Sequence, residues 1–344
     1  MNNSTRRALD IALAAEARGM YAGMLSAEEK QRIGQMRNIQ EFMNLLSRND
    51  AWRAAALSLQ SGEITDARFS DAVSRCVFDD YSKLYRFANE MSRQFLKFVT
   101  LDVELQAILR ALRRVASPKR EDTLEQGAPP VLRDLPGHNF ERLRRAKTWD
   151  DIVAAASGSI YAKALASLTL DEKTGMPSLT DAVAGLEAGF YDALSRYVRT
   201  GYTGPSKKEL ANSVSFRADM LNISYIMRLR RFNASSDLAG KLLLPLYGSV
   251  TVQIAKRALE AGSDEEAFVV LRSTRSGKWL PEEGDTVEAM IRSAQNAYFR
   301  KVLHGPMNLA AVYAFLTLKE YEGDMLRRVF VALQYGLSPA EFME

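Results

Sequence analysis

Cysteine, histidine and proline are scarce in this chain of 344 residues, which has one, two and ten of them. A lone Cys76 excludes an internal disulfide and a cysteine zinc site, and its apolar neighbours mark it as a small buried hydrophobe. His138 and His304 stand far apart in Pro/Gly-rich loops, with no HExxH or Cys/His spacing, so neither reads as a metal ligand or a catalytic base. A phosphate loop is missing as well. Neither Gly240-Lys241 nor Gly277-Lys278 is followed by Ser or Thr, and neither has the required upstream glycine, so ATP hydrolysis by this chain is not expected. Long apolar runs are also absent. The longest uncharged window, Val302 to Leu318, includes His304, Gly305, Pro306 and Asn308, whereas a spanning helix needs about 20 mostly apolar residues. Asp10, Glu16 and Arg18 interrupt any signal-peptide core near the start. The chain therefore reads as soluble. Charge of one sign is lacking too: 46 basic residues face 42 acidic ones, a net +4 that argues against wholesale nucleic-acid coating. The excess is local, since residues 110–147 hold ten Lys/Arg against five Asp/Glu.

What the chain has in abundance is helical periodicity. Leu84, Phe87, Met91, Phe95 and Phe98 form one stripe, Leu186, Phe190, Leu194 and Tyr197 another, and Val287, Met290, Ile291, Ala294 and Tyr298 a third, each at the spacing of one helix face. The window Met220 to Phe232 is apolar nearly all round and predicts a helix buried on more than one side. All ten prolines fall between these windows, where they do not break a helix. The best strand signal, Val250-Thr251-Val252, is too short to decide anything. The expected fold class is all-α.

The chain also repeats itself. Glu104…Arg110, Asn222…Arg228 and Glu322…Arg328 each set a polar residue six before an arginine with apolar side chains between. Within each repeat the order is shorter helices, a long amphipathic helix, then a buried helix ending in arginine. The expected long helices run over Asp66 to Phe98 and Leu101 to Val115 in the first copy, Thr180 to Val198 and Glu209 to Phe232 in the second, and Glu282 to Leu303 and Asn308 to Leu333 in the third. The implied modules are 1–117, 118–235 and 236–344. Units of this length are too long for an ordinary solenoid repeat.

No residue reads as catalytic, cofactor-binding or metal-binding. The pairs Asp79-Asp80, Asp150-Asp151 and Glu265-Glu266 fit helix starts or exposed faces, where acids complement the helix dipole. Arg113-Arg114, Arg230-Arg231 and Arg327-Arg328 fall at or near the ends of the repeated helices. There they compensate the dipole or dock an acidic partner, and these six are the candidate docking residues.

Several phrases resemble one family, the C subunit of archaeal and bacterial A/V-type rotary ATPases, whose eukaryotic counterpart is the V-ATPase d subunit. Ala14-Ala-Glu-Ala-Arg-Gly-Met20 with Met24-Leu-Ser-Ala-Glu28 is similar to the family's opening phrase. Arg37-Asn-Ile-Gln-Glu-Phe-Met-Asn-Leu-Leu46 is similar to its recurring helix, which returns at Phe140 to Ile152. Leu243-Leu-Pro-Leu-Tyr-Gly248 resembles its "LLPxG" segment and Asp219-Met-Leu-Asn222 with Arg228 its "DhxNhxxhhR". The tail Lys319-Glu-Tyr-Glu-Gly-Asp-Met-Leu-Arg327, then Gly336-Leu-Ser-Pro-Ala-Glu341, resembles the family's ending, with Gly323 an odd residue inside a helix. The resemblance implies three helical modules around a pseudo-threefold axis, shaped as a funnel. It further implies a non-catalytic, torque-transmitting part, without a cofactor, between the D- and F-type shaft subunits and the proteolipid ring. Such a part sits on the cytosolic face of the membrane, with one copy per complex. From the residues alone, a helical scaffold that binds peptide partners remains the alternative.

Overall fold

The computed structural model describes residues 3–116, 139–235, 240, 243–244, 248–284 and 286–343. The chain is 74% helical and has no strand among the described residues, only an isolated antiparallel bridge between Leu170 and Pro177. The chain is all-α. Val250-Thr251-Val252 enters a helix instead, with Thr251 as N-cap.

The first third opens with α1 (Asn3–Ala22) and the short helices α2 (Ala27–Gly34), α3 (Ile39–Leu46) and α4 (Arg53–Ser58). The longer α5 (Asp66–Phe87) follows, then α6 (Glu90–Leu96) and α7 (Phe98–Ala116). Next come short α8 (Phe140–Arg145), α9 (Trp149–Ala156) and α10 (Ala162–Ala166), and long α11 (Leu179–Gly201) and α12 (Gly204–Arg231). The last third has short α13 (Val252–Leu259) and α14 (Asp264–Arg272), a 3-10 turn at Gly277–Trp279, then long α15 (Val287–Leu303) and α16 (Leu309–Gln334). A final 3-10 turn covers Pro339–Phe342.

The helix starts obey local chemistry that recurs. Asn38, Thr148 and Ser263 cap α3, α9 and α14, each accepting the N–H of an acid three residues on, at 2.9, 3.2 and 3.2 Å. The acids Glu41, Asp151 and Glu266 lie in first turns, where they favour the positive helix end. Asp151 accepts N–H bonds from Lys147 and Thr148, and these hold its carboxyl below the usual value.

Two expectations need correction. The helix expected over Asp66 to Phe98 breaks at Ala88, whose backbone is extended. Asn89 then restarts the chain by accepting the Ser92 N–H at 3.0 Å. Phe87, placed on an apolar stripe, ends α5 and is 72% exposed. Pro205 does not fall between helices but opens α12, in the first turn, where its missing N–H is no loss.

The contacts divide the chain into two compact units. One joins Met1–Leu96 to Phe299–Glu344, and the other is built on Lys97–Asp122 and Pro130–Tyr298. In the first, α16 packs along α5 and α1 and also touches α3. Phe69 and Phe330 stack at 4.4 Å, within a core that includes Phe42, Trp52, Val73, Leu326 and Val329. Gly323 is explained here. A Cβ at that position would lie 3.1 Å from Val73 Cγ1 and 3.4 Å from the Trp52 ring, so α16 approaches α5 and Trp52 closely because the side chain is missing.

In the second unit, α7 packs on α8, α9 and α11, while α12 packs on α11, α13 and the Gly277–Trp279 turn. The packing is thus offset from the sequence repeat by one helix. The last long helix of each third lies against elements of the next third, and that of the final third lies against the first.

Candidate docking surface

The offset packing is held by polar side chains on α12 and α16 and by a backbone carbonyl on α7. On α16, Glu322 is 4% exposed, yet it is a carboxylate with two hydrogen-bond donors and an ion-pair partner. Its Oε1 accepts the Leu25 N–H at 3.1 Å and the Trp52 Nε1–H at 2.8 Å, while Oε2 lies 2.7 Å from Lys30 Nζ. On α12, Asn222 does the equivalent work. Its Oδ1 accepts the Leu244 N–H at 2.8 Å and its Nδ2 donates to the Leu244 carbonyl. Leu25 and Leu244 belong to the two similar phrases Met24-Leu25-Ser26 and Leu243-Leu244-Pro245. Glu104 is the matching buried residue on α7.

One turn earlier on these helices the residues diverge. Lys319 is fully buried, 3.0 Å from Asp80 Oδ2, bonded to the Ala51 carbonyl at 2.9 Å and stacked 3.9 Å from the Trp52 ring centre. Asp219, 1% exposed, accepts the Ser249 and Val250 N–H groups at 2.8 and 3.1 Å and the Ser249 and Ser276 hydroxyls. Gly248 is obligatory beside it, because a Cβ would fall 2.1 Å from Asp219 Oδ1. Leu101 occupies this place on α7, and its carbonyl accepts the Tyr161 hydroxyl at 2.7 Å. Burial raises the Tyr161 phenol far above its usual value. Trp52, Tyr161 and Trp279 therefore play one part three times, each an aromatic from the short-helix region touching the adjoining long helix, Trp279 through Phe216.

The six candidate arginines fall into two groups. Arg114 donates to the Leu143 carbonyl at 2.7 Å, closing the end of α8. Arg230 donates to the carbonyls of Ala258 and Leu259 in the last turn of α13 and of Ala261 just beyond it, and pairs with Asp264 at 2.9 Å. Arg327 bonds Asp324, Ser70 and Ser74. These three serve the fold. Arg113 and Arg231 are exposed, Arg231 lying 3.7 Å from Glu288, and Arg328 is half-buried. The dipole reading holds for Arg113, Arg114, Arg230 and Arg231, which occupy last turns. It does not hold for Arg327 and Arg328, because α16 continues to Gln334.

The sequence placed Asp79-Asp80 on an exposed face or a helix start and missed the partner of Asp80, although a lysine directly after the apolar run Leu309–Leu318 was a usable signal. Cys76 is buried as expected. Burial pushes its thiol pKa up, partly offset by Lys319. His138 and most of the basic segment 110–147 lie outside the described residues. No helix among the described residues is long and apolar enough to cross a membrane.

The family model described as ATP synthase (C/AC39) subunit matches residues 13–344. The chain belongs to the ATP synthase C/AC39 subunit family. No curated protein matches the chain closely enough to stand as a relative. The C/AC39 subunits are accessory subunits of V/A-type ATPases. Within the family assignment, the phrases around Leu25, Asp219, Gly248 and Glu322 gain a physical reason. Each contributes to the junction between a long helix and the segment it receives.

Proposed function

We propose that this chain is the central-stalk subunit of a rotary V/A-type ATPase, joining the D- and F-type shaft subunits to the proteolipid ring and passing torque between them. The observation that carries this reading is the family match over residues 13–344. In this account the chain forms three helical modules, 1–117, 118–235 and 236–344, arranged as a funnel about a pseudo-threefold axis. It performs no chemistry itself and takes no cofactor. It works as one copy per complex, peripheral to the membrane on the cytosolic side.

The recurring order of short helices followed by two long ones supports the modular reading, as do the repeated caps at Asn38, Thr148 and Ser263. A torque-bearing part must resist shear between its modules. Buried, hydrogen-bonded anchors such as Glu322 and Asp219 suit that demand, because close-packed protein interiors transmit strain. Arg113 and Arg231, exposed at helix ends, are the candidate arginines best placed for an acidic partner, with Arg114, Arg230 and Arg327 supporting the helices that present them. Engaging both shaft and ring raises the combined affinity through effective concentration. Crosslinking mass spectrometry on the intact complex tests the assignment. Crosslinks from this chain to both a shaft subunit and the ring are expected, and crosslinks confined to a peripheral stalk or to the catalytic head would contradict it.

A further inference from the structure

The short helix α8 and the turn after it present four cations, Arg142, Arg144, Arg145 and Lys147, all exposed. The apolar residues of this stretch, Phe140, Leu143 and Ala146, are all buried. Glu141 pairs with Arg144 at 3.1 Å and lies 3.8 Å from Arg145, so one carboxylate faces two guanidiniums. The side chains of Arg142 and Lys147 make no hydrogen bond or ion pair among the described residues. α8 packs on α7, where Arg114 reaches the Leu143 carbonyl and exposed Arg113 precedes it. Asp150 and Asp151 follow at the start of α9, with Asp151 turned back onto the Lys147 and Thr148 N–H groups. With these included, six cations stand against three acids, a net +3, and α8 itself exposes no apolar side chain.

We propose that this patch binds the phosphate headgroups of an anionic lipid bilayer. A folded protein partner gains affinity from an apolar centre to the contact, and single-stranded RNA from aromatic side chains on which its bases stack. The patch offers neither, since Trp149 is buried as well. A bilayer surface requires only positive charge, because its anionic headgroups attract Lys and Arg at the surface and their phosphate oxygens match guanidinium forks. The cations at 144 and 145 lie about 100° apart round the helix, a spread that a rigid acidic surface must match and a fluid one need not. The inference rests on the reading of the chain as peripheral to a membrane and goes beyond it in naming a lipid contact. Crosslinks to shaft and ring would survive its failure, so the two failures are told apart.

The test sediments the full chain with vesicles of phosphatidylcholine alone or mixed equally with phosphatidylglycerol. Binding is expected with the anionic vesicles only, falling steeply as added salt screens it. Arg142→Gln with Lys147→Gln should weaken it about twentyfold, since each basic residue near an anionic surface strengthens binding about fivefold. Arg75→Gln with Arg86→Gln, two exposed arginines of α5, should leave it unchanged. Melting curves on each variant establish that the fold is retained. No binding, equal binding to phosphatidylcholine alone, equal loss with both double variants, or tighter binding to polyuridine or polyglutamate than to the vesicles at matched charge would overturn the proposal.

Discussion

Removing the Glu322 carboxylate perturbs the junction between α16 and the first third of the chain in a way that can be worked through. Glu322→Ala strips acceptors from two buried donors, Leu25 N–H and Trp52 Nε1–H. A buried donor left unsatisfied costs about 1–3 kcal/mol, so the pair amounts to about 2–6 kcal/mol. Lys30 adds little, because its side chain is 26% exposed and can rehydrate. Glu322→Gln keeps an oxygen for both donors, and its NH2 group takes the place of Oε2 beside Lys30, whose partly exposed side chain can turn to water, so the change should cost about 1–2 kcal/mol. Against a total stability of about 5–15 kcal/mol for an ordinary domain, the difference between the two variants is readily measured. Urea denaturation followed by tryptophan fluorescence reports the loss, and hydrogen exchange at the Leu25 amide localises it. If Glu322→Gln destabilised as much as Glu322→Ala, or if Glu322→Ala cost less than about 1 kcal/mol, the reasoning from unsatisfied donors would be refuted.

Gly323→Ala gains about 1 kcal/mol of helix propensity but forces a methyl to 3.1 Å from Val73 Cγ1, so it should be neutral or destabilising, while Gly248→Ala, which meets Asp219 directly, should cost about 1–3 kcal/mol or more; thermal melts that show both variants stabilised would contradict this. Glu187 is held in a largely desolvated place and accepts a hydrogen bond from the Tyr225 hydroxyl, and burial raises its pKa above the ordinary 4.5. The folded state therefore binds this proton more tightly than the unfolded chain, so its ionisation penalty is present at neutral pH and is relieved as pH falls toward 4.5. The stability of wild type relative to Glu187→Gln should rise over that range, and a flat difference would argue against it. Ile226→Asp, which places an unpaired charge at a fully buried site, should destabilise by several kcal/mol, whereas Arg113→Glu at an exposed helix end should stay within about 0.5 kcal/mol; chemical denaturation of the two variants separates these outcomes.

Much of the fold was legible because local rules decide it. The apolar stripes and most of the proline positions act within a turn or two of chain, and so do the N-caps Asn38, Thr148 and Ser263, local signals that the sequence reading did not use. The break at Ala88 escaped because the stripe from Leu84 to Phe98 continues in sequence across a backbone that turns; only Asn89, a good cap in mid-pattern, marked it. The junctions were half visible. Glu104, Asn222 and Glu322 stood out as a repeated polar position, but their partners lie far away in sequence, Leu25 and Leu244 among them, and spacing cannot reveal such pairs. Lys319 carried a signal, a lysine directly after an apolar run, but its partner Asp80 lies too far away in sequence for spacing to reveal. The arginine pairs looked alike on paper, and only the carbonyls around Arg114 and Arg230 distinguish a side chain that closes a helix end from one left facing solvent.

The coupling role is tested most directly by ATP-driven ion pumping in proteoliposomes reconstituted with the ring, the shaft subunits and the catalytic head, with and without this chain. The account predicts that omitting the chain abolishes pumping while ATP hydrolysis by the head continues, and that adding it back restores transport. Undiminished pumping in its absence would contradict the account.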